Sequence, residues 1–159
     1  MKQVSDGYRR LTYLLVSSTF ILILMGGYVK AIGAGLACPD WPLCYGVIFP
    51  FNNGEVYPYT PWQIFTEWFH RLFASLVGLL LLIIVAKSYK YKNSIKELFN
   101  LGVLLSILFA IQVLLGALTV WQLLNPFTVV LHLGNAVMII MMEMVIAFLA
   151  TYYSLPVKQ

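Results

Sequence analysis

Thr66-Glu67-Trp68-Phe69-His70-Arg71-Leu72 stands at the head of a long apolar run, and its reading decides how the rest of the chain is understood. Glu67 and His70 are three residues apart and Glu67 and Arg71 four apart, so on a helix all three project from neighbouring positions of one face. Charged and titratable groups at the mouth of an apolar helix are costly unless they have partners or a task. The stretch therefore reads as a metal-centre motif. The plainer alternative is an interfacial cluster, with Glu67 paired to Arg71 and with Trp68 and His70 in the headgroup layer.

Composition supplies the frame. Of the 159 residues, 61% are apolar and 10% charged, against roughly a quarter charged in an average soluble domain. Four apolar runs, 11–29, 69–87, 98–121 and 128–152, have about the 20 helical residues needed to cross a hydrocarbon core. The expectation is an all-α membrane protein: one four-transmembrane-helix bundle over residues 1–159, with a structured outer loop at 31–65 between the first and second helices. A cleaved signal peptide is the competing reading of the first run, but that run is longer than the usual apolar region of about 7–15 residues.

Ten basic and six acidic residues give a net charge of +4, which orients loops in a lipid bilayer rather than forming a nucleic-acid surface. Lys2, Arg9, Arg10, Lys87, Lys90, Lys92, Lys96 and Lys158 fall on one side of the spans, and only Lys30 and Arg71 on the other. The positive-inside rule then predicts cytoplasmic termini and an outward-facing 31–65 loop. Asp40-Trp41-Pro42, Phe49-Pro50-Phe51, Tyr57-Pro58-Tyr59 and Trp62 furnish that loop with interfacial rings and stiff prolines, so a folded cap with short interfacial helices is expected. Asn52-Asn53-Gly54 is a turn signal within it.

Both cysteines of the chain, Cys38 and Cys44, lie in this loop with five residues between them, two of them prolines. A local disulfide is geometrically reasonable on the oxidising side of a membrane, either as a staple or as a strained, exposed ring with a redox role. Two thiolates alone leave a zinc or iron–sulfur site half filled.

His132 is the only histidine besides His70. It lies a few residues into a span that also starts outside, so the two imidazoles enter from one surface to similar depth on helices running the same way. That is the arrangement required for axial ligation of haem iron, one ring on each face of the macrocycle. Gln112, Gly116 and Thr119 share a face of the third span, as cofactor neighbours or as helix-packing glue. Asn135 is one turn below His132. Glu143, an intramembrane acid on nearly the same face, is left without a role and is a candidate for a subunit contact.

Gly26-Gly27-Tyr28-Val29-Lys30 followed by Gly35-Leu36-Ala37-Cys38-Pro39-Asp40-Trp41-Pro42-Leu43-Cys44 resembles the first helix and outer loop of the haem A synthase (CtaA/Cox15) family. Glu67-x-x-His70-Arg71, Gln112-x-x-x-Gly116-Ala117-Leu118-Thr119-Val120 and Leu131-His132-Leu133 match the same family, in order and over most of the chain. The resemblance implies oxidation of the C8 methyl of haem O to the formyl group of haem A, for assembly into haem–copper oxidases in a prokaryotic cell membrane. It implies His70 and His132 as haem ligands, Glu67 as the catalytic acid near the reacting methyl, and Cys38 with Cys44 as an outer disulfide. Arg71 would meet a haem propionate or hold Glu67. The haems concerned are haem b, haem O as substrate and haem A as product, with haem O synthase and oxidase assembly factors as further partners.

Family members resemble two tandem four-helix halves, and this chain matches the cysteine-bearing first one. A homo-oligomer is the expected way to regain a second haem site. Oxygen activation at the iron and electron removal from the ring are both compatible with the motifs. A non-catalytic haem b electron-transfer subunit is the alternative that the histidine pair alone would equally support. A quinone-linked thiol oxidoreductase is disfavoured because there is no C-x-x-C and no second cysteine pair.

Overall fold

The computed structural model describes residues 3–50 and 58–155. Four long helices account for most of them: α1 (Asp6–Ala31), α2 (Pro61–Ser88), α3 (Lys96–Trp121) and α4 (Pro126–Tyr152). All four are long and apolar enough to cross a membrane. The shortest has 26 residues, about 39 Å at 1.5 Å per residue, which exceeds a hydrocarbon core of roughly 30 Å.

The helices begin earlier than their apolar runs suggest; in α1, α2 and α4 polar caps rather than hydropathy fix the start, whereas α3 follows Ile95 with no side-chain cap. Ser5 caps α1, its hydroxyl accepting from Tyr8 N–H. The larger difference is at α2, which starts at residue 61 rather than 69. Thr60 and Gln63 form a reciprocal capping box, and Pro61 takes the first helical position, where its missing N–H costs nothing. Glu67 and His70 consequently lie well inside the helix, and the outer loop shortens to 32–60. Asn125 caps α4 ahead of Pro126, its side-chain oxygen accepting from Phe127 N–H.

Short turns join α2 to α3 and α3 to α4, so consecutive helices run antiparallel. Each helix packs against its chain neighbours and α1 closes on α4, while the backbones of the diagonal pairs stay apart among the described residues. In this up-and-down bundle α2 and α4 are a parallel diagonal pair, as the histidine argument requires.

Two apolar cores are stacked along the bundle. The larger, with Leu15, Leu81, Ile84, Leu98, Leu105 and Ile146 at 2% exposure or less, fills the end where the first and last described residues meet, hereafter the terminal end. There Val4 N–H bonds Tyr153 C=O, and Arg9 bonds the Ser154 hydroxyl. At mid-bundle Gly78 lets α2 approach α3 so closely that a Cβ at this position would lie 2.4 Å from the Phe109 ring.

The second core, at the loop end, joins Val29 and Ile64 to Ala34, Ala37, Cys38 and Cys44 of the outer loop. That loop is folded, but by turns: no helix forms between residues 32 and 50. The Asp40 carboxylate accepts from Tyr45 N–H at 2.6 Å and Gly46 N–H at 2.7 Å, closing the turn in which both residues have positive φ. Trp41 meets Trp121 edge-on at the end of α3, and Gly35 lies against Leu124 of the α3–α4 turn. The loop thus covers the end of the bundle. Asn52-Asn53-Gly54, Phe51, Tyr57, Lys2 and Lys158 lie outside the described residues.

Candidate functional site

Arg71 is the knot between α2 and the loop. One terminal guanidinium nitrogen donates to the carbonyls of Asp40 (2.6 Å) and Leu43 (2.8 Å), and the other to Cys38 C=O (2.7 Å) and to Glu67 Oε1 (2.6 Å). Glu67 is 4% exposed, and its second oxygen accepts from Ala37 N–H at 3.1 Å. The i, i+4 spacing on α2 brings acid and base together, and the loop carbonyls fix the guanidinium plane, so the carboxylate is held from both sides. All four terminal N–H groups of Arg71 are engaged by the protein itself.

The sulfurs of Cys38 and Cys44 are bonded, and both residues are buried at 0% and 2% exposure. The ring they close is buried, as a staple would be, and not the exposed ring that the redox alternative supposes. Its surroundings are Ala34, Ala37 and Ile64, with Trp68 along its flank, and Trp68 itself is tied to Ile48 C=O.

Between the two apolar cores lies a layer of different composition. His70 on α2 and His132 on α4 are half-buried there, and each ring is seated against a glycine of the preceding helix. A Cβ at Gly26 of α1 would lie 3.2 Å from His70 Cε1, and one at Gly116 of α3 would lie 3.3 Å from His132 Cε1. The two rings are close enough across the diagonal to interact electrostatically. Nδ1 of each is buried without a hydrogen-bond partner. On the α3–α4 side Gln112 is 3.4 Å from His132 Nε2 and accepts from Asn135 at 2.8 Å, while Asn135 also donates to Leu108 C=O.

Buried imidazole nitrogens normally find a hydrogen-bond partner or a metal. Among the described residues no three His, Cys, Asp or Glu side chains gather as metal ligands. A bare ion would be underligated by two imidazoles, whereas haem iron already has four ring nitrogens and needs only axial donors. An orphaned Nδ1 on each ring, and a donor set of two histidines each seated against a glycine, fit that group.

The model of the COX15-CtaA family, described as cytochrome oxidase assembly protein, matches residues 9–156. The chain belongs to the COX15-CtaA family. It is 38% identical over 137 residues to a Heme A synthase of Shewanella oneidensis, covering 78% of this chain and 41% of that protein. It is 33% identical over 128 residues to a Heme A synthase of Bacillus pumilus, covering 79% and 39%. A Heme A synthase of Symbiobacterium thermophilum is 31% identical over 134 residues, covering 82% and 40%. The chain thus spans about two-fifths of the length of the curated relatives it matches.

For this COX15-CtaA member the structure brings together Glu67, Arg71, Cys38 and Cys44 in one node, and His70 and His132 with Gln112 and Gly116 in the layer beneath. Glu143 stands apart. It is 1% exposed between α4 and α1, accepts from the Thr19 hydroxyl at 3.0 Å and leaves its other oxygen unpartnered. Its burial inside a single chain removes it as a subunit-contact residue. Sequence reasoning missed the contributions of Gly26, Ala37 N–H and Asp40. Gly26 carried a signal, since a glycine pair inside a helix marks a close approach, but its partner is 44 positions away in the chain.

Proposed function

We propose that this chain acts as a haem A synthase, oxidising the C8 methyl of haem O to the formyl group of haem A for haem–copper oxidase assembly. The observation that carries this reading is the juxtaposition of two glycine-seated histidines on parallel helices with a clamped carboxylate one helical turn from His70. The naming of the relatives as Heme A synthase supports it.

Converting a methyl group and one water to a formyl group releases four electrons and four protons. Haem iron, when bound, would supply the redox centre, and the four electrons pass to an external acceptor, dioxygen or a membrane electron carrier. His70 and His132 hold the haem, one from each member of the diagonal pair, with Gly26 and Gly116 setting the depth of their rings. Glu67 acts at the methyl: its carboxylate faces positive charge or takes a proton as electrons leave, and preorganisation by Arg71 and Ala37 N–H means that it need not rearrange to do so. Arg71 serves Glu67 and the loop, which accounts for all four of its terminal donors. The disulfide loop limits entry of bulk water from its end of the bundle.

On this reading the loop faces outward and both termini are cytoplasmic, following the excess of basic residues at the terminal end. Haem O synthase and a second copy of the chain are the proposed partners. Co-expression with a haem O source, followed by chromatography of extracted haems, tests the activity. Haem A is the expected product, and recovery of haem b and haem O alone would instead mark an electron-carrying subunit.

A further inference from the structure

A cleft of about 660 Å³ opens at the terminal end between the start of α1 and the end of α2, far from the histidine layer. Its walls include Ser5, Tyr8, Leu11, Lys87, Lys90 and Tyr91. The floor is organised: the Tyr91 hydroxyl bridges Ser5 N–H and the Ser5 hydroxyl, and the Tyr8 and Tyr91 rings meet edge-on at 5.4 Å.

The charge around it is one-sided. Arg9, Arg10, Lys87, Lys90, Lys92 and Lys96 lie at this end, against Asp6 and Glu97. Some of these cations are engaged: Arg9 pairs with Asp6 and bonds Ser154, and Lys92 lies over the Tyr89 ring. Lys87 and Lys90, the two that line the cleft, have no hydrogen bond or ion pair among the described residues. Beyond the lysines Leu11 continues the wall towards the membrane, and Leu14, Leu79, Leu82 and Ile83 are exposed on the next turns of α1 and α2. Two free ammonium groups at the membrane–water boundary, above an exposed apolar track, complement a phosphate headgroup whose acyl chains run down the helices.

We propose that this cleft binds the headgroup of an anionic phospholipid, with Lys87 and Lys90 on the phosphate and the chains against the α1–α2 seam. Delipidated full-length protein in detergent, titrated with phosphatidylglycerol or with phosphatidylcholine of the same acyl chains and analysed by native mass spectrometry, tests it. The native chain should retain phosphatidylglycerol preferentially, and inorganic phosphate at equal concentration should not displace it. Lys87→Gln with Lys90→Gln should reduce the preference roughly 30-fold. Arg10→Gln with Lys96→Gln, the same change in net charge at residues that do not line the cleft, should leave it within about twofold. Ala86→Trp, which fills the cleft and keeps both lysines, should abolish the preference even if the double lysine variant does not fold. Equal retention of both lipids by the native chain, equal losses in the two double variants, an unaffected Ala86→Trp variant, or displacement by phosphate would each overturn the assignment.

Discussion

Replacing Arg71 by Met strips the loop of its knot while keeping most of the side-chain volume. Three carbonyls, of Cys38, Asp40 and Leu43, lose their donors, and Glu67 keeps only the backbone N–H groups of Ala37 and Cys38. Removing one partner of a buried ion pair costs about 3–5 kcal/mol. The lower end applies here, because 16% of the Arg71 side chain is exposed and water can reach part of the vacated site. Glu67→Gln alone keeps one acceptor oxygen, so either Arg71 or Ala37 N–H is left facing the amide NH2, and it should cost about 1 kcal/mol, the lower end for a buried donor left unsatisfied. The double variant leaves no uncompensated charge, so its loss should be about 2 kcal/mol rather than the roughly 4 kcal/mol of the sum, a coupling of about 2 kcal/mol. Unfolding in mixed micelles followed by circular dichroism measures the cycle. The rate at which a reductant opens the Cys38–Cys44 bond gives a local reading, and it should rise in Arg71→Met because both sulfurs are buried under the loop that Arg71 holds. Additivity within about 0.5 kcal/mol, with an unchanged reduction rate, would refute the claim that the ion pair and the loop form one unit.

His70→Ala and His132→Ala should each remove the low-spin visible spectrum of the haem-loaded protein, and an unaltered spectrum in either variant would end its assignment as a ligand. Gly26→Ala places a methyl 3.2 Å from the His70 ring, and Gly116→Ala one 3.3 Å from the His132 ring; both should lower haem retention through purification without unfolding the bundle, as read by haem-to-protein ratio and circular dichroism. Gly78→Ala overfills the α2–α3 contact and should destabilise by about 1–3 kcal/mol, with Phe109→Leu in the same chain restoring most of the loss in a denaturation experiment.

The four spans were legible because lipid demands long uninterrupted apolar runs, and the parallel course of α2 and α4 follows from counting crossings. Helix starts were not legible from hydropathy, since polar residues such as Thr60, Gln63 and Asn125 set them through backbone N–H groups that an apolar window ignores. His70 and His132 stood out as the only histidines in an apolar chain. Their glycine seats did not, because the Gly26–His70 contact is made across helices and leaves no local spacing to read. Arg71 offered two readings from its motif position; the loop carbonyls that occupy its donors belong to backbone atoms, which carry no residue signature. Glu143 was visible as a buried acid, but its Thr19 partner lies 124 residues away.

The central claim is a division of labour in which the histidines hold the haem and Glu67 performs the chemistry. Chromatography of the haems extracted from Glu67→Gln, co-expressed with a haem O source and compared with the native chain, tests it most directly. The variant should retain bound haem O, keep its low-spin spectrum and yield no haem A. Haem A at the native yield from Glu67→Gln would contradict the account.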